Sequence, residues 1–573
     1  MKITLPVISF VISSLVSASA ANYYVATTGS DANPGSASQP WRTIQKAANT
    51  VVGGDVVRVQ PGTYNERVAE GTSGNAANYI TYLSESPTNA IVRGFNITGS
   101  YIRIIGFQIT HVADVAYEAV RVDRGNHVEV LDNYIHNVST SGAGSGVTYG
   151  GAPYLVVRGN VISYTGSPGD NNGLGAKSIG NIFGSGGSAP VLIEYNSISH
   201  TTDYLTPQGG LHIYRNNVLG PTTTNDFGGG RHVDGYQPNE GTTNCFMEAN
   251  WHVDNPISDS HLYLDEIAPN HHIALIKNVS IRSGDRLCVQ WRVSTNHLAA
   301  HNTFGQIGFG PRGGPGNGGA FYVWDNSINN VSRNNIFTNC TSGSSIYATA
   351  NGGTITTDHD LSWPLGNAAL QADPKFVNYA GYDFTLRSNS PAVSAAGALT
   401  TVTSSSGTGT SFSVSEPYWF CDGFNGLAEG HKIYVGNNNN LTVTAVDYPT
   451  RTVTVSSSIT WANGDKVGYA FLGTGPDIGA YEYGARSLTS ATISTNGNNY
   501  TVTPTGDARF VAFYRDGIPY AKVNTSPYTT AISSGIVTAK VYALHPQAFP
   551  VVIATPSSAP APAPPTNLRI VPN

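Results

Sequence analysis

The chain has 573 residues, more than one ordinary hydrophobic core accommodates, so several domains are expected. Only 12% of the residues are charged, while Gly numbers 64 and Tyr 31, a balance that suits an all-β extracellular protein better than a helical cytosolic one. The formal charge of −6 removes the electrostatic reason to expect nucleic acid or an anionic membrane as partner.

Residues 1–20, MKITLPVISFVISSLVSASA, read as a secretory signal. Lys2 supplies the positive start, an apolar run follows, and Ala18-Ser19-Ala20 is the cleavage site. The mature chain is therefore expected to begin near Ala21 and to work outside the cytoplasm, in the medium or a periplasm. No later stretch reaches the ~18 apolar residues of a spanning helix.

From about residue 119 to 339 one unit repeats: a short apolar-alternating strand, an Asn-centred bend and a second short strand, as in VEVLDNYIHNV (128–138) and VLIEYNSISHT (191–201). The shared asparagines are Asn133, Asn160, Asn196, Asn217, Asn250, Asn278, Asn302 and Asn335. Their spacing fits the rungs of a solenoid rather than a sandwich of hairpins. Asn suits such a bend because it tolerates the left-handed backbone and can hydrogen-bond its neighbours. Stacked asparagines therefore predict a ladder from rung to rung. A further strand precedes these units: AVRVD (119–123), GVTYG (146–150), HVDGYQ (232–237), LYLDE (262–266), CVQWR (288–292) and FYVWD (321–325). Three short strands per turn, with the Asn bend between the second and third, predict a right-handed parallel β-helix. It is expected over residues 21–397, with a closing strand near 474–485.

Residues 398–473 interrupt that closure with strands such as LTVTAVDYPTRTVTVSSSITW, and read as a small β-barrel insertion. Residues 488–554 read as an immunoglobulin-like β-sandwich, and 555–573 as a Pro-rich tail. Such modules more often hold or position an enzyme than react, so no chemistry is assigned to them. Cys245, Cys288, Cys340 and Cys421 are too scattered for a disulfide framework and are read as buried free thiols. Neither C-x-x-C nor H-E-x-x-H occurs, which argues against zinc.

The segment YYVATTGSDANPGSASQPWRTIQKAANTVVGGDVVRVQPGTYNERV (23–68) resembles the opening of secreted pectate-lyase-like β-helix proteins. DPKFVN…YDFTLRSNSPAV (373–393) and PDIGAYEY (476–483) resemble their closing segments. The resemblance implies that QPWRTIQKAA is a short helix capping the first rung. It also implies a carbohydrate-active protein that binds extended polysaccharide along the outer face of the sheet built by the first strands.

Strand alternation places His232 and Asp234 outward on HVDGYQ, Tyr263 and Asp265 outward on LYLDE with Glu266 at the turn, and Gln290 and Arg292 outward on CVQWR. Arg121 and Asp123 are expected outward on AVRVD, and Tyr322 and Trp324 on FYVWD. With rungs ~4.8 Å apart, the six residues from His232 to Arg292 would form one patch, against which stands the plainer reading of a solvated face with incidental ion pairs.

Three chemistries use such a patch. β-Elimination from a uronic-acid polymer needs a base, His232 or Tyr263, and a cation for the substrate carboxylate, Arg292 or a calcium ion held by Asp234, Asp265 and Glu266. Glycoside hydrolysis needs two carboxyl groups, Asp234 and Asp265. Non-catalytic glycan binding would use Tyr236, Tyr263, Tyr322 and Trp324 as stacking platforms. Mannuronan C5-epimerases carry a similar His and Asp pair on a β-helix strand, although here the order is reversed and no Pro intervenes. Family-six lyases use a Lys followed one rung later by an Arg; Arg292 is similar, without the Lys. The clustered Asp calcium site of family-nine pectate lyases is not visible. His271 and His272 open a second strand and are read as rung residues; His297 and His301 lie near the next bend and are read as rung residues or as the rim of the cleft. The glycine-rich stretches 166–177 and 308–319 are expected to form loops beside the cleft, with Arg312 touching an acidic sugar. The expected protein is a secreted monomeric polysaccharide lyase, with a glycoside hydrolase and then a non-catalytic adhesin-like binder as alternatives.

Overall fold

The computed structural model describes residues 20–110, 118–138, 144–165, 177–181, 190–201, 203–222, 233–239, 241–255, 260–264, 269–283, 288–305, 320–340, 346–364 and 367–556. The proposed signal and Pro-rich tail lie outside these residues, apart from Ala20, Thr555 and Pro556.

The strands wind as a parallel β-helix with three faces. The second strands of the rungs build a 14-stranded parallel sheet that starts at Asn22–Val25 and ends at Ile355–Asp358. First and third strands form two parallel stacks within one 22-stranded sheet, because the long strand Ala90–Ile97 pairs with both Gln108–Ile109 and Glu118–Asp123. The interior is continuous and apolar, from Val25 through Phe95, Val147, Leu205 and Phe321 to Phe337. A single helix turn, Ile44–Ala48, closes the first rung as expected. Thr43 caps it by accepting from Lys46 N, the Glu66 carboxylate accepts from Ile44 N and Gln45 N at 2.9 Å, and Ile44, Ala47 and Ala48 face the core.

The asparagine ladder is present over all eight positions. Each Nδ2 donates to the Oδ1 of the next at 2.9–3.0 Å, from Asn133 to Asn335. From Asn160 onward each Oδ1 also accepts the backbone N–H of the Asn before it, as between Asn217 and Asn250 at 2.9 Å, and Asn133 Oδ1 accepts Phe107 N at 2.9 Å. The left-handed backbone is not taken by these asparagines. It falls on the residue before them, including Asp132, Tyr195, Ala249, Lys277 and His301, so the asparagine acts through its amide and not through its backbone tolerance. The last rung uses a different acceptor, Asp360, whose Oδ1 takes Asn335 Nδ2 at 3.0 Å; burial pushes its carboxyl up to about 6. Asn250→Ala is expected to destabilise the chain by about 3 kcal/mol, at ~0.5–1.5 kcal/mol for each buried hydrogen bond lost, here those to Asn217 N, Asn217 Nδ2, Asn278 Oδ1 and Tyr214 O. A urea melt measures this.

Two of the three faces are covered from outside. Within residues 400–469 six antiparallel strands form one sheet, whose ends meet at the Val402–Val414 bridge. Its core residues Phe412, Phe420, Ile433 and Val467 share a cluster with Leu131, Leu192, Phe246 and Leu298 of the second face. Residues 490–556 form two four-stranded sheets that share one apolar core, and Phe510 and Tyr542 dock on Tyr195. The closing segments, through Phe376, Phe384, Ile478 and Ala480, cover Trp251, Val279 and Ile336 of the third face. Gly479 has φ +102°, and a Cβ there would lie 2.6 Å from Ile336 Cδ1, so only glycine lets this segment lie so close. Among the described residues, no first-face side chain belongs to these covering clusters.

Glu482, in the same closing segment, is almost fully buried, and burial raises its carboxyl to about 8; Lys277 lowers it and Asp477 adds to the rise. The folded chain therefore holds a proton that the unfolded chain releases at the ordinary value of 4.5. Stability is expected to fall as pH rises from about 4.5 to about 8, and Glu482→Gln is expected to flatten that slope in thermal melts across the range.

All four cysteines are buried and free, as expected.

Candidate functional site

Among the described residues, the first strands contribute no side chain to the apolar clusters of the insertion, the closing segments or the last module, and they do not alternate simply. At the same point of successive rungs two consecutive residues both enter the core: Ala119 and Val120, Tyr204 and Leu205, Leu262 and Tyr263, Cys288 and Val289, Ala320 and Phe321. The hydrogen bonding gives the reason. Leu262 N and Tyr263 N both donate to Cys288 O, and Cys288 N and Val289 N both donate to Ala320 O, a bulge in which two residues share one partner. The residue before the inward pair and the residue after it thus lie on the same outer side. Glu118 demonstrates this, reaching across Ala119 and Val120 to Arg121 at 3.2 Å.

This bulge overturns two expectations. Tyr263, proposed as an outward base, is fully buried in the core. Tyr236, proposed as a stacking platform, is also fully buried and stacks on Tyr263, with ring centroids 5.4 Å apart and planes 17° apart. Asp234 precedes the inward Tyr236 by two and is wholly buried rather than solvated. His232, Asp265, Glu266 and Arg312 lie outside the described residues, as do the loops 166–176 and 306–319.

Asp234 has neighbours that alternation alone did not reveal. Lys177 is the register partner of Asp203, Asp203 of Asp234, and Asp234 of His261. Four ionisable residues thus occupy one position on four successive rungs, one rung spacing of ~4.8 Å apart. Asp203 is 5% exposed and Asp234 0%. The signal was present in TDYLT, VDGYQ and SHLYL, which align with the ionisable residue second. Two carboxylates supply only part of the six to eight oxygens that calcium takes, and among the described residues no group of three or more His, Cys, Asp or Glu could hold a metal.

The remaining expected residues fall into two patches. Arg121 pairs with Glu118 at 3.2 Å and Asp123 at 3.4 Å, and Glu118 also meets Arg67 at 3.2 Å. These pairs are partly exposed and contribute at most ~1 kcal/mol each. Beyond Asp234, Gln290 registers with Tyr322 and Arg292 with Trp324. Tyr322 and Trp324 stack at 5.3 Å, and the Arg292 guanidinium lies 4.4 Å over the indole. Arg292 is already engaged by Asp325 at 2.8 Å; hydrogen bonds from Asn351 and then Arg292 hold that carboxyl below its ordinary value. Arg292 and Tyr263 therefore do not share one patch.

Residues 23–185 match the family model of a Pel9A-like, right-handed β-helix region. The uncharacterized protein YwoF of Bacillus subtilis (strain 168) is 25% identical over 136 residues, a match covering 21% of this chain and 29% of that protein. The match thus spans less than a third of that curated relative's length. Among solved structures, pectate lyase Pel9A is 13% identical, with 81% of this chain and 97% of that one covered at a TM-score of 0.43. The PL6 family alginate lyase AlyGC is 16% identical, with 64% and 55% covered at 0.42. The GH136 lacto-N-biosidase from Eubacterium ramulus is 12% identical, with 55% and 68% covered at 0.36. Its three-faced rungs and its asparagine ladder make this chain a parallel β-helix, and over residues 23–185 it is similar to a Pel9A-like, right-handed β-helix region.

Proposed function

We propose that the chain is a secreted polysaccharide lyase acting on a uronic-acid polymer bound along the outer side of the first face. The observation that carries this reading is the column Lys177, Asp203, Asp234, His261 at one register position. β-Elimination removes the proton on C5 of the uronate, expels the glycosidic oxygen at C4, which takes a proton from water and leaves as a hydroxyl, and forms a C4–C5 double bond. His261 is assigned as the base, imidazole being the side chain suited to take a proton near neutrality, and Asp234 is its register partner on the preceding rung. Lys177 is assigned to the substrate carboxylate, whose neutralisation makes the C5 proton removable. Asp203 stands between Lys177 and Asp234 in the register. The match to a Pel9A-like region supports this reading. Residues 398–473 and 488–554 are read as bracing modules, and the working unit as a monomer.

A second reading is favoured by one observation. Asp203 and Asp234 are register partners on adjacent rungs, and ~4.8 Å of strand spacing is close to the ~5–5.5 Å between the carboxyl groups of retaining glycosidases. A panel of polygalacturonate, alginate and neutral xylan, assayed together for ultraviolet-absorbing unsaturated products and for new reducing ends, separates the two. Both signals rising together support the lyase. Reducing ends without the absorbance support the hydrolase, and retention without either supports a binder.

A further inference from the structure

We propose that the outer row beside the ionisable column is a neutral sugar-binding lane, in which Thr148 and Thr206 receive hydroxyl groups of a pyranose chain lying along the helix axis over Gly180. This rests on the reading of the first face as a glycan cleft. Val147 and Tyr149 enter the core, so Thr148 between them faces out; Gly180 and Thr206 follow the inward Ile179 and Leu205. Register links Asn96 to Arg121, Arg121 to Thr148, Thr148 to Gly180 and Gly180 to Thr206. The row is therefore continuous over five rungs. By the contact of Glu118 with Arg121, it lies within side-chain reach of the column that holds Lys177 and Asp203.

Thr148 is 6% exposed and Thr206 2%, yet neither Oγ1 has a hydrogen-bond partner, and Asn96 Oδ1 has none either. More than ~90% of buried polar groups are paired in folded proteins, so three unpaired ones in a single row call for a partner from outside the chain. The groups are small and neutral, able to bond hydroxyls but not to neutralise a carboxylate. Arg121, the one charge in the row, is already met by Glu118 and Asp123. Thr148 and Thr206 stand two rungs apart, roughly 10 Å at ~4.8 Å per rung, about the length of a disaccharide, and Gly180 between them adds no side chain. Sugars in this lane are recognised through hydroxyls, and the substrate carboxylate is left to the ionisable column.

The test uses the full chain carrying Asp234→Asn, so that polymer is not consumed, with polygalacturonate, alginate and neutral xylan as probes in affinity electrophoresis. Thr148→Val and Thr206→Val are each expected to weaken retention of the bound polymer about tenfold, with an unchanged or higher Tm, because no protein hydrogen bond is lost. In the active chain the same variants are expected to raise KM with kcat unchanged. Retention equal to the parent overturns the proposal, because the hydroxyls then take no part in holding the polymer. A lowered Tm with unaltered retention, or a wild-type chain that retains none of the three polymers, overturns it too. Retention lost on Thr→Val in a chain that cleaves nothing sustains the lane while refuting the lyase.

Discussion

Asp234→Asn is expected to lower turnover on the responsive polysaccharide by ~10²–10⁴, the range contributed by a positioned proton-transfer group. Asp234 stands between Asp203 and His261 in the register of the first face and is wholly buried. Asparagine keeps the shape and removes the charge, so the orientation of the base on one side and the charge balance of the column on the other both change. Asp203→Asn sorts the mechanisms. In elimination it acts through Lys177 and is expected to raise KM more than it lowers kcat, whereas in retaining hydrolysis it is a reacting group and kcat collapses. Full activity of Asp234→Asn, with an unchanged pH profile, would place the chemistry elsewhere on the helix.

Arg215→Met is expected to destabilise the chain by ~3–5 kcal/mol, the cost of removing one partner from a buried ion pair. Arg215 is 1% exposed and donates to Glu194 at 2.7 Å and to Glu429 at 2.8 Å. Glu194 also holds Arg158 at 2.6 Å, and Glu429 holds Lys522 at 2.5 Å. The chain of charges thus passes from the helix through the insertion to the last module. Burial alone would raise the Glu194 carboxyl, but Arg215 and Arg158 bring it down to about 2. This stability is present above the ordinary value of 4.5 and is lost as pH falls towards about 2. Arg215→Met is expected to abolish most of that acid dependence and to lower Tm at neutral pH, read by calorimetry across pH. A variant as stable as the parent would show that the modules are held by the apolar contacts of Phe412, Phe420 and Phe246 alone.

The architecture was legible because it recurs: Asn250 or Asn278 alone means little, but eight bends of one kind impose a solenoid. Alternation put Arg292, Tyr322 and Trp324 on the outer side of their strands, and it failed at Tyr263, at Tyr236 and at the solvation of Asp234. A bulge is made by two N–H groups sharing Cys288 O, and no side chain near residue 262 announces that shared bond. Lys177, Asp203 and His261 were passed over because each stands alone in its own segment, and only register sets them in line.

Composition, the repeat of asparagines and the closing motifs determined by themselves a parallel β-helix with appended β modules, because each rung buries its apolar side chains with a periodicity written locally. Which face lies apart from the apolar cover of the modules, and which ionisable residues share one register position on it, was decided by the tertiary structure. The insertion, the closing segments and the last module cover two faces through residues hundreds of positions away. The single-residue bulge then brings Asp203 and Thr206 to the same side of the third. Contacts between distant segments and a shared carbonyl leave no period in the sequence, and it is these that shape the site.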